Sequence, residues 1–154
     1  CVWNKNNFAN GSFYRAKHEL VFIFKSGEAK HTSHIDLADR IRTNVWDYPV
    51  SISFNNPDRD ELKNHPTPKP TLMVADALLD ASDEGEGVID WFLGSGTTMI
   101  AAEQTERICY AMEWEPKFVQ SSIIRYLRFC QRNNRPIHFE HLNGDLTIDD
   151  FNLN

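Results

Sequence analysis

The feature that most constrains this fold is an apolar run that ends in a glycine turn. Residues 88–93 are apolar apart from Asp90, and they are followed by Gly94–Ser95–Gly96 and a run of small residues at 97–102. This order predicts a buried strand, a tight turn and the start of a helix. Asp90 and the backbone N–H groups of the turn are therefore expected at one sheet edge, where α/β folds bind ligands.

The chain on both sides of this turn alternates between predicted strands and helices. A second buried strand is expected at 108–112, and helices are expected at 71–81, at 97–104 and from Pro116 to about Arg132. Two of these helices carry apolar stripes at the spacing of one helix face. The stripes are Leu72, Ala75, Leu78 and Leu79 in the first helix, and Val119, Ile123, Tyr126, Leu127 and Cys130 in the last. Such alternation predicts an α/β fold with a mostly parallel sheet.

The part of the chain before these helices divides into three segments. Residues 1–27 predict an antiparallel hairpin, with a strand at the start and an apolar, aromatic strand at 20–24 that is covered on both faces. Residues 28–64 lack periodicity, and their interleaved arginine and aromatic residues favour a binding loop over a surface excursion that packs on the core. The three prolines in residues 65–70 exclude a helix interior or a central strand. At the other end, residues 136–154 are interpreted as a tail with at most one short strand.

The composition is typical of a single water-soluble domain of 154 residues, with 41% hydrophobic and 25% charged residues. No apolar run reaches the roughly 18 residues of a membrane helix, and the three cysteines are interpreted as reduced thiols of a cytoplasmic protein. The net charge of −6 argues against binding nucleic acid by bulk electrostatics alone. No histidine or cysteine pair has metal-site spacing. Because the chain opens inside a predicted strand without Met, we expect the C-terminal portion of a longer protein.

The glycine turn differs from two well-known phosphate-binding loops. A P-loop needs Lys after its last Gly, where this chain has Thr97, and the dinucleotide motif needs a third glycine that is absent. Asp90 is suited to an ammonium group, and Glu113, at the end of the next strand, is suited to ribose hydroxyls. S-adenosyl-L-methionine has both groups and no phosphate, so it is the expected cofactor. A dinucleotide-binding module remains an alternative.

Several motifs around this turn resemble one family. Residues 90–98 are similar to motif I, D-P-F-x-G-S-G-T-T, of the amino-methylating DNA methyltransferases, and residues 65–70 resemble their H-P-T-x-K-P segment. Residues 111–118 resemble their G-I-E-x-x-P-x-Y segment, and residues 13–19 resemble their F-Y-R-S-x-H-E loop. This order is the permuted, β-class arrangement, and residues 42–49 further resemble methylases that carry a ParB-like domain. The likeness spans residues 1 to about 135.

The resemblance implies a Rossmann-like methyltransferase fold, here an α/β fold with an antiparallel hairpin and without its N-terminal strand or strands. It implies that residues 65–135 bind S-adenosyl-L-methionine and that residues 1–27 face the target base in double-stranded DNA. Residues 28–64, interpreted as a binding loop, are the candidate for a further DNA contact. The cofactor-binding residues would be Thr67, Lys69, Asp90, Phe92, Gly94, Ser95, Gly96, Thr97, Thr98, Glu113 and Trp114. The base-side residues would be Arg15, Lys17, His18, Arg42 and Asn44.

Two departures from the family pattern qualify this implied function. Trp91 replaces the usual Pro of motif I, and the chain has no Pro-Pro pair, although the family acts through D/N/S-P-P-Y/F/W. Asp47–Tyr48–Pro49 has the wrong order for that motif. We therefore assign no catalytic residue and expect the motif upstream, in the N-terminal part of the same protein. The expected activity is methylation of adenine N6 or cytosine N4 in DNA, and the alternative is a degenerate domain that binds the cofactor without catalysis.

Overall fold

The computed structural model describes residues 1–28, 30, 32–35, 42–51, 62, 68–142, 144 and 146–151. Its strands are β1 (Val2–Asn4), β2 (His18–Leu20), β3 (Val45–Asp47), β4 (Gly87–Asp90) and β5 (Ile108–Ala111). Its helices are α1 (Thr71–Ala81), α2 (Thr97–Gln104) and α3 (Pro116–Arg132), followed by a 3₁₀ turn at Ile148–Asp150. Within these described residues, no helix has both the length and the apolar character required to cross a membrane.

The first sheet has the strand order β2-β1-β3. β1 pairs antiparallel with β2, which confirms the predicted hairpin, and it pairs parallel with β3. Trp3 of β1 is buried and donates its indole N–H to the carbonyl of Tyr48 at 2.8 Å. β3 lies within residues 28–64, so the interpretation of that segment as a loop is wrong there. The sequence does not reveal this three-residue strand, because it is too short to show periodicity and depends on pairing with a distant segment.

The second sheet consists of β4 and β5, which are parallel and are connected through α2. This confirms the predicted strand–helix–strand unit. The prediction that both strands are buried is wrong for one face, because Ile89 and Tyr110 are 59% and 48% exposed. Val88 and Cys109, which alternate with them, are half-buried. Within the described residues, only one face of this sheet is therefore covered.

The apolar run at residues 20–24 does not form the predicted buried strand. Only Leu20 belongs to β2, and Phe22, Ile23 and Phe24 are 71%, 71% and 86% exposed. β2 lies at the edge of its sheet. An apolar run becomes a strand buried on both faces only where other elements cover it, and the described residues supply no such cover.

The main core lies between the helices and the tail. The stripe prediction for α3 is confirmed, since Ile123, Tyr126, Leu127 and Cys130 are buried together with Ile100 of α2. In the tail, Phe151 joins this cluster, and its described residues contain the 3₁₀ turn instead of a strand.

The stripe predicted for α1 is only partly correct. Ala75 is buried, but Leu72 and Leu79 are 62% and 44% exposed, and Met73 is buried in their place. The buried face of α1 is therefore the one that carries Met73 and Ala75, and it is rotated about the helix axis from the face that carries Leu72 and Leu79. Burial of a short helix depends on its neighbours as well as on its own periodicity.

Candidate ligand-binding site

The glycine turn connects β4 to α2 and uses two residues with left-handed backbone. Gly94 and Gly96 have φ angles of 56° and 79°, a region that glycine adopts without a Cβ clash. The Gly96 N–H donates to the carbonyl of Leu93 at 3.0 Å, which closes the turn. Gly96 also caps the N-terminus of α2, so the turn determines the direction in which the first N–H groups of that helix point.

Asp90, the last residue of β4, is half-buried beside the turn. Its Oδ1 accepts the N–H of Phe92 at 2.9 Å, which orients the carboxylate. Burial, together with the nearby Asp90 charge, raises the pKa of the Cys109 thiol on β5 to about 11. The Asp90 carboxylate at the end of β4 therefore acts on β5 as well. Such a group can accept hydrogen bonds from a ligand's ammonium group.

Glu113 connects the segment after β5 to the glycine turn. Its Oε2 accepts the N–H of Gly94 at 2.7 Å, and its Oε1 accepts the N–H of Glu115 at 2.9 Å. Sequence reasoning assigned this carboxylate to ribose hydroxyls and did not foresee the bond to Gly94. Each carboxylate oxygen has capacity for more than one donor, so the backbone bonds leave acceptor capacity for a ligand.

The proline segment forms a second wall of the site. Pro68 and Pro70 are buried, and the carbonyl of Lys69 accepts the Thr97 hydroxyl at 3.2 Å. The Lys69 ammonium lies 3.3 Å from Glu19 Oε2 on β2 and 5.9 Å from the Trp3 ring centroid. Lys69 therefore connects the first sheet to the glycine turn. Thr67, the other cofactor-binding residue assigned to this segment, lies outside the described residues.

Glu19 also pairs with Lys5, whose Nζ is 3.2 Å from Glu19 Oε1. Burial raises the pKa of Glu19, but hydrogen bonds and charge from Lys5 and Lys69 outweigh it, so the net pKa lies below its ordinary value. The ionised carboxylate thus holds both lysines near the base of the hairpin.

Between these walls lies a cleft of about 260 Å³. Most of the assigned cofactor residues meet here, because the strand end, the turn and the start of α2 converge on it. The lining residues are Lys69, Val74, Asp90, Phe92, Leu93, Gly94, Ser95, Thr97 and Thr98. Whole-ligand pockets measure roughly 300–1,000 Å³, so the cleft is suited to one end of a larger ligand.

Trp114 lies outside this cleft. Its side chain is 95% exposed, and that of Phe92, at the rim, is 88% exposed. Neither ring has packed into the protein, so both present apolar area to solvent beside the cleft. Trp91, the residue that departs from the family motif, is 60% exposed and does not line the cleft.

The basic residues of the hairpin are exposed, as expected for groups that contact a large partner. Arg15 donates to the carbonyl of Ala9 at 3.4 Å, and its guanidinium stacks 3.9 Å from the ring centroid of Phe8. Lys17 and His18 are also exposed, with His18 at the start of β2. Arg15 and Lys17 therefore present positive charge just before β2, the strand that carries Glu19 and its contact with Lys69.

Arg42 is engaged with α1. Its guanidinium donates to Asp76 Oδ2 and to Asp80 Oδ1, both at 3.1 Å, and the Tyr48 hydroxyl also donates to Asp76. Hydrogen bonding from Arg42 and Tyr48 outweighs the effect of burial and lowers the pKa of Asp76. Any contact of Arg42 with DNA would compete with these ion pairs. Asn44, the other base-side residue assigned in this segment, is exposed, and its carbonyl accepts the N–H of Val2 at 2.7 Å.

Sequence reasoning missed two α3 residues that contact the turn. Arg125 is 2% exposed and donates to the carbonyl of Ser95 at 2.8 Å, and Ser122 packs against Gly96. A signal for them was present: Ser122, Arg125 and Phe129 have the spacing of one helix face, next to the apolar stripe. A basic residue on a buried helix face indicates a specific polar partner.

The chain is similar to known DNA methyltransferases. A family model described as DNA methylase, for N6 and N4 enzymes, matches residues 1–124. The chain is 26% identical over 134 residues to the type II methyltransferase M2.MboI of Moraxella bovis, covering 81% of this chain and 48% of that protein. It is 31% identical over 86 residues to the DNA adenine methyltransferase YhdJ of Escherichia coli K12, covering 56% of this chain and 28% of that protein.

A solved structure shares the fold. The M1.HpyAVI–SAM complex superposes with a TM-score of 0.54 at 19% identity, covering 80% of this chain and 59% of that one. This likeness supports the predicted α/β methyltransferase fold. The chain spans about half of the length of M2.MboI and a smaller share of YhdJ.

Proposed function

This chain belongs to the DNA methylase family, and from that premise we propose that it binds S-adenosyl-L-methionine in the cleft beside Gly94–Ser95–Gly96. It would serve as the cofactor-binding part of a methyltransferase that acts on an exocyclic amine of DNA, adenine N6 or cytosine N4. One observation carries the proposal: the cleft combines an anionic group, Asp90, with a cationic group, Lys69, and the N-terminus of α2.

These groups fit the amino-acid end of the cofactor. Its ammonium group would donate to Asp90, and its carboxylate would accept from the first N–H groups of α2, whose positive dipole end favours anions. Lys69 adds positive charge on the facing wall. The bound cofactor in M1.HpyAVI, a protein of the same fold, supports this choice.

The nucleoside end of the cofactor would extend out of the cleft toward Glu113. Ribose hydroxyls would donate to the acceptor capacity that the bonds from Gly94 and Glu115 leave on this carboxylate. The exposed Trp114 and Phe92 would lose apolar surface to the adenine ring, a favourable change for aromatic side chains.

When bound, the cofactor supplies an electrophilic methyl group. Asp90 and Glu113 would hold the cofactor at its two ends, while the amine nitrogen of the base would take the methyl group from sulfur and lose one proton. The products are the methylated base and S-adenosylhomocysteine. An exocyclic amine is a weak nucleophile, so acceptors for its hydrogens and a flipped base are needed.

The 154 residues contain no Pro-Pro pair, so we propose that another part of the same protein supplies the D/N/S-P-P-Y-type motif. Arg15, Lys17 and His18 would contact double-stranded DNA from the hairpin, where their exposure leaves them accessible. The Glu19–Lys69 contact would then place the DNA side and the cofactor side close together.

The cofactor proposal is tested by calorimetric titration with S-adenosyl-L-methionine and, separately, with NAD. We expect binding of the former, and Asp90→Asn should weaken it by about tenfold or more, since hydrogen bonds to charged groups contribute roughly 1.5–3 kcal/mol. Asp83→Asn is the matched control, because Asp83 is an exposed carboxylate in the loop before β4. Tight binding of NAD alone, or equal effects of the two substitutions, would contradict the proposal.

The missing Pro-Pro pair also favours a second candidate, a domain that binds the cofactor without transferring its methyl group. Incubating the whole protein with DNA and cofactor carrying a radioactive methyl group separates the two. Label in the DNA supports the enzyme. Cofactor binding with no label in any DNA supports the binding domain.

A further inference from the structure

Arg125 is a buried cation that contacts both walls of the cleft. It lies on α3, is 2% exposed and does not line the cleft itself. One terminal nitrogen donates to the carbonyl of Ser95 at 2.8 Å, and the other donates to the hydroxyl of Thr71 at 3.0 Å. A buried guanidinium is costly unless its donors are satisfied, so such a group is retained only with specific partners.

The two partners belong to different walls. Ser95 is the central residue of the glycine turn, and Thr71 is the first residue of α1, directly after the proline segment that carries Lys69. A second connection joins the same walls on the cleft side, because the Thr97 hydroxyl bonds both the Ser95 hydroxyl and the Lys69 carbonyl. Both connections involve the turn: the first runs through Arg125, and the second runs through Thr97, which lines the cleft.

Arg125 also acts on the orientation of the turn. A peptide group is planar, so holding the Ser95 carbonyl fixes the plane that includes the Gly96 N–H. One turn earlier on α3, Ser122 lies so close to Gly96 that an added Cβ would be 2.9 Å from Ser122 Cβ. Side chains three residues apart lie on the same helix face, so this face of α3 supports the turn at two points.

We propose that Arg125 is a positioning residue for the amino-acid end of the cofactor, because it fixes the glycine turn relative to the proline segment. The inference rests on the proposed function. Shortening this side chain would leave the Ser95 carbonyl buried without its donor and would let the two walls separate. Groups at the amino-acid end would lose their alignment, whereas Glu113, at the nucleoside end, would keep its bond from the Glu115 N–H outside the turn.

The test compares two neutral thioethers that share the nucleoside end: S-adenosylhomocysteine, which carries the amino-acid end, and 5′-methylthioadenosine, which lacks it. For Arg125→Lys we expect the Kd of the first to rise about tenfold or more, because binding must then order a turn that Arg125 otherwise holds in place; tenfold corresponds to about 1.4 kcal/mol. The Kd of the second should change less than about threefold. Calorimetry measures both, and Arg125→Met provides the stronger variant if it folds.

The matched control is Arg135→Lys. Arg135 donates to the carbonyl of Glu103 at 2.7 Å near the other end of α2, away from the cleft. A purely structural effect would lower stability in both variants and leave the ratio of the two Kd values unchanged. If Arg125→Lys changes neither affinity, or changes both by the same factor, the inference is overturned.

Amide hydrogen exchange of the ligand-free protein gives an independent measurement. The Gly96 and Thr97 amides should exchange faster in Arg125→Lys than in Arg135→Lys, because the turn loses its anchor. Unchanged exchange there contradicts the inference even when the cofactor binds normally. If the unsubstituted protein does not bind S-adenosyl-L-methionine, both the proposed function and the positioning role of Arg125 are wrong.

Discussion

Replacing Gly96 with alanine should destabilise the fold because two separate costs meet at this residue. A left-handed backbone costs a non-glycine residue about 1–2 kcal/mol, and Gly96 has a φ of 79°. The new methyl group would lie 2.9 Å from Ser122 Cβ and 3.3 Å from Ser122 Cα, and overpacking of this kind costs about 1–3 kcal/mol. The smaller entropy of the unfolded alanine chain offsets roughly 0.4–1 kcal/mol, so the net loss is about 1–4.5 kcal/mol.

Gly85→Ala separates the two costs. Gly85 has the same φ of 79°, but an added Cβ there has no atom within 4 Å, so the steric cost is absent. Only the backbone cost of about 1–2 kcal/mol, less the same entropy offset, applies. Urea unfolding of both variants gives their free energies of unfolding. The excess loss in Gly96→Ala over Gly85→Ala, about 1–3 kcal/mol, measures the contact with α3.

Ser122→Gly provides the corresponding rescue. It removes the Cβ that Gly96→Ala would approach, at its own cost of about 1 kcal/mol for glycine inside a helix. A double-mutant cycle removes that cost, and the coupling free energy should be favourable by about 1 kcal/mol or more. Equal losses for Gly96→Ala and Gly85→Ala, together with zero coupling to Ser122, would refute the close approach of the turn to α3.

Three further predictions concern charge and ionisation. Because Arg42 lowers the pKa of Asp76, the stability from the ionised carboxylate is present above about pH 4 and is lost as the pH falls. The difference in unfolding free energy between the wild type and Asp76→Asn, measured by urea unfolding, should therefore shrink from pH 7 to pH 3. A difference that stays constant over this range would contradict the prediction. Burial raises the pKa of Cys109 to about 11, so the rate at which iodoacetamide alkylates this thiol, followed by mass spectrometry, should still rise about tenfold per pH unit between pH 8 and 10. A rate that levels off near pH 9 would show an ordinary thiol. If Arg15 contacts a phosphate, Arg15→Ala should reduce the slope of log K against log salt for DNA binding by about 1, and an unchanged slope would place Arg15 outside the interface.

The sequence by itself determined the family and most of the local elements. Helices α1, α2 and α3 and strands β4 and β5 lie where periodicity and the Gly and Pro residues predicted them. These signals are local, since the spacing of apolar residues and the backbone preferences of glycine and proline act over a few positions. The motif of the proposed cofactor site is equally local, and most of its residues meet in one cleft.

Only the tertiary structure decided which residues contact each other over long separations. β3 pairs with β1 across more than 40 residues, and the bond from Gly94 to Glu113 joins the turn to the segment after β5. The exposure of Phe22 and of Ile89 likewise depends on what covers them and not on their own apolar character. Arg125 illustrates the physical reason: its helix position is visible in the sequence, but its partners, Ser95 and Thr71, are brought to it only when the chain packs.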